Sequence, residues 1–313
     1  MSAPAALSVN GLKKRYGWRS GAWALDNMSF EVPSGALCAL IGPNGAGKTT
    51  LFSVICGFLP PDDGSVNVLG LGPFSPSVHK GRVGVLPQDA ALPERHTARD
   101  FLRFMGELQG LSAGEAKDAA ERAIQSVDLN ARADHTILTL SHGMRRRLAT
   151  ASALLGKPEL VLLDEPTAGL DPVQAHSLRE HLRQQKGRAT LVISSHNLTE
   201  LEQICDYAVI LEKGRVVMFG PMSELTAQAR RVRWRLSAAP PLEALRAALP
   251  HHELSVQEVE GVVELLELPP QDADPDASSV VLMRLLAEAG VGVRELRRGQ
   301  SLEESVLAGR PPS

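Results

Sequence analysis

A glycine-rich segment, GPNGAGKTT, occupies residues 42–50 and forms the first candidate site. It fits the spacing G-x-x-x-x-G-K-[ST], in which glycines let backbone N–H groups turn toward one point and cradle an anion. The lysine can then reach the β- and γ-phosphates of a nucleotide, and the following hydroxyl can bind Mg²⁺. We therefore predict a phosphate site formed by Gly42, Pro43, Asn44, Gly45, Ala46, Gly47, Lys48, Thr49 and Thr50, with Thr49 as a metal ligand.

Two adjacent carboxylates follow an apolar run in the segment LVLLDEP. Ligands of open α/β sheets bind at the carboxyl ends of the strands, which is where these two residues would stand. Adjacent carboxylates are costly to bury unless a cation or a reacting water uses them. We expect Asp164 to bind Mg²⁺, directly or through water, and Glu165 to act as a general base for a water molecule.

Two more polar side chains stand at the ends of apolar runs. Gln88 follows RVGVLP, and His196 follows TLVISS. Beside a phosphate site, Gln88 would touch Mg²⁺ or the attacking water, and His196 would contact the γ-phosphate. On its own, either residue also fits a solvated strand end.

The segment LSHGMRRRLA, residues 140–149, admits three interpretations. A serine beside a histidine suggests a nucleophile with its base, but consecutive residues at a helix start point in different directions. The arginines at 145–147 fan around a helix, which favours local salt bridges and subunit contacts over nucleic-acid binding. We prefer the third interpretation, in which Ser141 caps a helix whose N-terminus faces an anion and Gly143 lets that anion approach.

These segments need an α/β framework to bring them together. Short apolar runs alternate with helical patterns up to about residue 220, which predicts buried strands and connecting helices. Residues of about 90–157 form a helical insertion, with capping-box starts at Thr97 and at Ser112. The predicted strands are ALSVNGL, NMSFEV, ALCALIG, SVNVLG, RVGVLPQ, ELVLLDEP, TLVISSH and YAVILEKGRVVMFG.

The composition changes after residue 220, which predicts two domains, 1–220 and 221–313. The second domain has the pattern strand, helix, strand, strand, helix, strand, followed by a short helix from Ser301. This βαββαβ order is the split-βαβ or ferredoxin-like arrangement. It would make a small α+β domain.

Bulk composition excludes several classes of protein. The chain has 313 residues, a net charge of −3 and 22% charged residues, which gives no general attraction to nucleic acid. Its three cysteines are widely spaced and fit free buried thiols rather than a disulfide framework. No apolar run approaches the ~18 residues that span a bilayer. We therefore expect a cytoplasmic chain, unless a partner holds it at a membrane.

Six motifs occur in one order and spacing: GPNGAGKTT, the glutamine of LPQ, LSHGM, LVLLDEP, AGLDP and the histidine of SSHN. In this respect residues of about 5–220 resemble the nucleotide-binding subunit of an ATP-binding cassette (ABC) transporter. The resemblance implies a P-loop α/β core with an antiparallel β edge and a helical insertion. It also implies ATP as the nucleotide, Tyr16 stacked on adenine, and Asp171 of AGLDP within the nucleotide-binding set.

In the family that this chain resembles, two subunits pack head to tail. Each signature segment, usually LSGGQ, caps the ATP that the other subunit's phosphate loop holds. Ser141 and Gly143 would do this here, and the mate would be an identical copy or a paired ABC subunit. His142 and Met144 depart from the usual signature, in which a glycine and a glutamine stand at these positions.

The end of the chain, VRELRRGQSLEESVL, resembles ATPase subunits of the ABC-2 exporter type. The resemblance implies membrane-spanning permease subunits as separate chains, a location at the cytoplasmic face of the membrane, and no nucleic-acid partner. The alternative is a soluble ABC ATPase acting on nucleic acid, ribosomes or cofactor assembly, which tandem cassettes or a basic arm would favour. A nucleotide switch without turnover is a third possibility, and the presence of Glu165 argues against it.

Overall fold

The computed structural model describes residues 5–17, 21–196, 198–230, 232–259, 262–270 and 275–298. The chain divides into two compact units, Met1–Met222 and Ser223–Ser313. The strands of the first unit are β1 (Ala5–Arg15), β2 (Trp23–Pro33), β3 (Leu37–Ile41), β4 (Asp63–Val68), β5 (Val83–Leu86), β6 (Leu160–Asp164), β7 (Thr190–Ser195), β8 (Tyr207–Glu212) and β9 (Arg215–Pro221). Its helices are α1 (Lys48–Ile55), α2 (Pro76–His79), α3 (Ala98–Gln109), α4 (Ala113–Ser126), α5 (His142–Ala153), α6 (Pro172–Arg183) and α7 (Leu198–Glu202).

A six-stranded sheet with the order β5-β6-β7-β3-β8-β9 forms the centre of this unit. Its strands are parallel except β9, which pairs antiparallel with β8. Every residue of β3, β6 and β7 is buried, as their continuous apolar runs predict. The first unit also contains a three-stranded antiparallel sheet with the order β2-β1-β4. The predicted α/β core is confirmed.

The parallel strands fix where the candidate site residues stand. The carboxyl ends of β3, β5, β6 and β7 share one edge of the sheet, because neighbouring parallel strands run in the same direction. The phosphate loop follows β3, and Gln88, Glu165 and His196 follow β5, β6 and β7. The sheet topology therefore brings these four segments to one place.

The helical insertion has its own apolar core, which includes Leu102, Ile124 and Leu148. The predicted capping box at Ser112 is confirmed, because the Ser112 and Glu115 side chains each bond the other residue's N–H. The prediction at Thr97 is half wrong. The Asp100 N–H donates to Thr97 Oγ1 at 3.0 Å, but the Asp100 carboxylate accepts the Thr97 hydroxyl. Aspartate is one methylene shorter than glutamate, which disfavours the reciprocal bond.

The second unit contains a four-stranded antiparallel sheet with the order β11-β12-β10-β13. Trp234, Leu245, Leu265, Leu282 and Leu286 are fully buried in its core. The predicted short helix from Ser301 lies outside the described residues. Helix α8 (Met222–Arg230) begins at the last residue of the first unit. The other elements are β10 (Val232–Leu236), α9 (Leu242–Ala248), β11 (Glu253–Val259), β12 (Val262–Leu268), α10 (Pro275–Glu288) and β13 (Val293–Arg298).

None of the helices in the described part of the chain combines the length and apolarity that crossing a lipid bilayer requires.

The three cysteines are free and buried, and we expect them to resist alkylation in the native protein. Burial raises the pKa of the Cys38 and Cys56 thiols to about 12, and it also raises the pKa of Cys205. Because the thiolate is the reactive form, iodoacetamide at pH 8 should label no cysteine in the folded chain and all three in guanidinium. Mass spectrometry would count the labels. Rapid labelling of any thiol in the folded chain would contradict this prediction.

Candidate functional site

The phosphate loop joins β3 to the start of α1. Its last residue, Gly47, has φ of 106°, and a Cβ there would lie 2.6 Å from the carbonyl oxygen of Ala24. Only glycine accepts both conditions. No side chain caps the N-terminus of α1 in the described structure, so its first N–H groups remain available to an anion.

Lys48 crosses the inside of this loop. Its ammonium donates to the carbonyl oxygen of Gly42 at 2.5 Å and to that of Pro43 at 3.4 Å, and the residue is only 7% exposed. Burial lowers the pKa of the Lys48 ammonium, while the Glu165 and Asp164 carboxylates oppose that shift. The loop therefore holds a cation where phosphate groups would bind.

Three oxygen-bearing side chains meet beside the loop, as the sequence predicts. Thr49 Oγ1 donates to Asp164 Oδ2 at 3.0 Å and lies 3.5 Å from Gln88 Oε1. Hydroxyl, amide and carboxylate oxygens are the ligand types that Mg²⁺ takes, together with water and phosphate. The donor set fits a magnesium ion held jointly by protein and nucleotide.

Glu165 has an unusual backbone conformation, with φ of 49° in the left-handed region. Its N–H donates to Ser194 Oγ at 2.9 Å, and its Oε2 lies 3.1 Å from His196 Nδ1. The Glu165 side chain is 15% exposed, whereas that of His196 is 66% exposed. The carboxylate thus faces the cleft with an imidazole beside it, which is an arrangement suited to proton transfer.

One cleft contains most of the predicted nucleotide-binding residues. It has a volume of about 460 Å³ and is lined by Tyr16, Ala24, residues 43–50, Gln88, Asp164 and Glu165. This volume falls within the range of small-molecule sites. Tyr16 is 54% exposed, and its hydroxyl lies 3.2 Å from Thr50 Oγ1. An exposed ring at the rim is free to stack on a base.

The signature segment lies apart from this cleft. Ser141 caps α5, as predicted, by accepting the Met144 N–H at 3.2 Å. A Cβ on Gly143 would lie 2.5 Å from Gln174 Oε1, so Gly143 packs closely against the start of α6. Asp171 caps α6 through the Gln174 N–H at 2.9 Å. Ser141, Gly143 and Asp171 do not line the cleft of their own chain.

The expectation of salt bridges for the three arginines is wrong for Arg146 and Arg147 within the described residues. Arg147 donates to the carbonyl of Val127 at 2.6 Å, and Arg146 donates to the carbonyls of Gln88 and Glu165, each at 2.8 Å. Arg145 has a distant ion pair with Glu94 at 3.9 Å and also binds carbonyls. Loop carbonyls next to α5 need donors, and a guanidinium fork supplies several.

Comparison with known proteins places the chain in a family. The family model described as ABC transporter matches residues 25–168. The daunorubicin resistance ATP-binding protein DrrA3 of Streptomyces coeruleorubidus is 36% identical over 97% of this chain and 96% of its own length. The linearmycin resistance ATP-binding protein LnrL of Bacillus subtilis is 36% identical over 71% of each chain. The Nod factor export ATP-binding protein I of Mesorhizobium japonicum is 32% identical over 96% of this chain and 86% of its own length.

The chain belongs to the ABC transporter family. The resemblance found in its motifs is thereby confirmed, and this ABC subunit is an ATP-binding transporter ATPase. A solved ATP-binding subunit of an ABC transporter shares 30% identity, with a TM-score of 0.63 over 71% of this chain and 92% of the other. A dimeric ATP-binding cassette bound to ADP and Pi is 21% identical, with a TM-score of 0.64 over 69% and 98%. The latter likeness concerns the fold alone.

Two residues of this ABC subunit's site escaped sequence analysis. Ser194 is fully buried and bonds both the Glu165 N–H and an oxygen of Asp164. Arg146 is buried between the segments that follow β5 and β6. Ser194 could have been noticed, because it is a polar residue at the end of the apolar run TLVISS. Nothing in the sequence distinguishes Arg146 from the arginines on either side of it.

Proposed function

We propose that this chain is the Mg²⁺-ATP-driven subunit of an exporter of the ABC-2 type and works with separate membrane-spanning subunits. One observation carries the proposal: a single cleft unites the phosphate loop, the Thr49–Gln88–Asp164 oxygens and Glu165. The relatives add the transport class, since they are named for export or drug resistance. Their named substrates differ from one another, so the proposal stops at the class.

The proposed ATP contacts follow from the geometry of the loop. The N–H groups at the start of α1 and the Lys48 ammonium would bind the β- and γ-phosphates. Tyr16 would stack on adenine, and Thr50 would line the phosphate side of the cleft. Thr49, Gln88 and Asp164 would hold Mg²⁺, which would neutralise charge on the phosphate oxygens.

Glu165 is the proposed general base. Its carboxylate would accept a proton from the water that attacks the γ-phosphorus, so that ADP and phosphate leave. His196, 3.1 Å from that carboxylate, would orient it and approach the γ-phosphate. Ser194 would keep Asp164 and Glu165 in register through its bonds to both.

A second subunit would complete the site. Ser141, Gly143 and Asp171 lie outside their own chain's cleft, which supports a role on ATP held by an identical copy or a paired ABC subunit. The N-terminus of α5 would then direct N–H groups and its positive dipole end at that γ-phosphate.

The proposed domains are an ABC ATP-binding domain, residues 1–220, and an accessory domain, residues 221–313. The separation of two compact units at Met222–Ser223 supports this division. The order β11-β12-β10-β13 supports a ferredoxin-like accessory domain. With permease partners, the chain would sit at the cytoplasmic face of the membrane.

The first test is ATP binding and turnover by the full chain with and without Lys48. We expect Lys48→Ala to weaken ATP binding about tenfold or more, because a charged hydrogen bond to phosphate contributes about 1.5–3 kcal/mol. Lys117→Ala, an exposed lysine on α4, is the matched control and should change nothing. Calorimetry gives the affinity, and phosphate release gives the turnover. Equal ATP affinity in the chain and in Lys48→Ala would refute the assigned site.

The second test concerns the partner. The tagged chain should be recovered from detergent-solubilised membranes with a multi-span membrane protein, and reconstitution with that protein should stimulate ATP turnover. Recovery with ribosomes or nucleic acid instead would favour the non-transport alternative.

A further inference from the structure

Arg146 is a buried cation that binds only main-chain carbonyls in the described structure. It is 8% exposed. Its Nη1 donates to Gln88 O at 2.8 Å and lies 3.5 Å from Pro87 O. Its Nη2 donates to Glu165 O at 2.8 Å and to Asp164 O. One guanidinium therefore joins α5 to the two segments that carry Gln88, Asp164 and Glu165.

The contacts of Arg146 leave the charge of its guanidinium without a bonded carboxylate among the described residues. Burial lowers the pKa of its guanidinium, although Asp164, Glu165 and Asp89 oppose that shift from a distance. Its Nε is also buried with no hydrogen-bond partner among the described residues. Burying a cation in this way is costly. What distinguishes Arg146 from Arg147 is the place of its carbonyl partners, which belong to the segments that carry Gln88, Asp164 and Glu165.

The backbone at Glu165 is the feature that Arg146 holds. A non-glycine residue in the left-handed region costs about 1–3 kcal/mol and persists when its surroundings fix it. At Glu165, Ser194 accepts the N–H and Arg146 donates to the C=O. The two side chains thus form hydrogen bonds to the peptide groups on either side of the Glu165 Cα. These bonds fix the backbone from which the carboxylate extends.

Arg146 lies on the same helix as the signature segment, which connects its carbonyl contacts to Ser141. It lies five residues after Ser141, the N-cap of the same helix. Five residues span little more than one helical turn, so a displacement of the Ser141 end would be carried to Arg146 and through it to the carbonyls of Gln88 and Glu165.

We propose that Arg146 is a positioning residue that couples the signature end of α5 to Glu165 and Gln88. The Arg146 side chain does not line the cleft, and it acts through the main chain of Gln88, Asp164 and Glu165, which do. This inference rests on the proposed function for the roles of Glu165 and Gln88. A planar fork that serves carbonyls on two segments explains arginine here, since a lysine offers a single nitrogen.

The experiment compares Arg146→Met and Arg146→Lys with the unmodified full chain. We expect Arg146→Met to lower kcat about tenfold or more, because small misplacements of reacting groups are that costly. The ATP dissociation constant should change by less than about threefold, since the phosphate loop is intact. Arg146→Lys should recover part of the loss.

A readout independent of turnover is amide hydrogen exchange in the nucleotide-free protein. The Ala168 N–H donates to Glu165 O at 3.0 Å, the oxygen that Arg146 also binds. Exchange at residues 165–168 should accelerate in Arg146→Met and be partly restored in Arg146→Lys.

The neighbouring Arg147 is the matched control. It also binds main-chain carbonyls, those of Val127 and Asp128, but these lie in the helical insertion. Arg147→Met should lower the unfolding temperature about as much as Arg146→Met does, whereas its kcat should stay within about twofold of that of the unmodified chain.

Several results would overturn the proposal. They are an equal loss of kcat in both methionine variants, a parallel loss of ATP affinity in Arg146→Met, or unchanged exchange at residues 165–168. If Arg146→Met fails to fold, full activity and unchanged exchange in Arg146→Lys would refute it. If the unmodified chain lacks ATP turnover, the proposed function is wrong. The exchange measurement would still test whether Arg146 holds the backbone at residues 165–168.

Discussion

Replacing Glu165 with glutamine should lower ATP turnover about a hundredfold or more while ATP binding persists, because general-base catalysis contributes about 10²–10⁴. The amide keeps the shape of the side chain and one oxygen near His196. In the unmodified chain, Glu165 Oε2 lies 3.1 Å from His196 Nδ1. The amide cannot accept the proton of the attacking water. The main-chain bond to Ser194 and the phosphate loop remain intact. ATP should therefore accumulate uncleaved, and a dimer closed by ATP should accumulate with it.

Phosphate release, ATP affinity and molar mass by light scattering test this prediction together. Glu159→Gln is the matched control, since Glu159 immediately precedes the other end of β6 and pairs with the exposed Arg82. The control should retain turnover within about twofold, as surface ion pairs contribute little. Substantial turnover by Glu165→Gln would remove Glu165 from the role of base.

The location of the site could be predicted because its chemistry stands at strand ends. Continuous apolar runs identified β3, β6 and β7 as buried strands, and buried parallel strands share a carboxyl edge. Polar residues directly after such runs had to meet there. The contact of Thr49 with Asp164 and the closeness of Glu165 to His196 follow from that topology.

The contacts of Arg146 could not be predicted, for a physical reason. Its partners are main-chain carbonyls, and every residue has a carbonyl, so no residue type marks an acceptor. The polar residue type of Ser194 stands out in its apolar run, but its bond to the Glu165 N–H could not be predicted, because Glu165 is a non-glycine residue with a left-handed backbone. Sequence patterns indicate which side chains reach a site more readily than what holds them there.

Gly143→Asp should be as damaging as Glu165→Gln, for a different reason. In the proposed dimer Gly143 faces the γ-phosphate of the other subunit, and a carboxylate there would repel it by several kcal/mol, about a hundredfold or more in dimer closure. ATP-induced dimerisation in the Glu165→Gln background should be lost, and turnover should fall with it. Light scattering with and without ATP measures the first effect.

An intrachain collision is the competing cause, and the structure shows how to separate the two. A Cβ at residue 143 would lie 2.5 Å from Gln174 Oε1 and 3.2 Å from Leu170 Cδ2, so any side chain must displace Gln174. Gln174→Ala removes that obstacle. In a chain that carries both Gln174→Ala and Glu165→Gln, the further change Gly143→Ala should permit ATP-induced dimerisation, because a methyl group adds bulk and no charge. Gly143→Asp should stay monomeric, because its charge still opposes the phosphate. If Gln174→Ala restores dimerisation to Gly143→Asp as well, the glycine serves the packing of α5 against α6, and the anion-facing role of the signature segment is wrong.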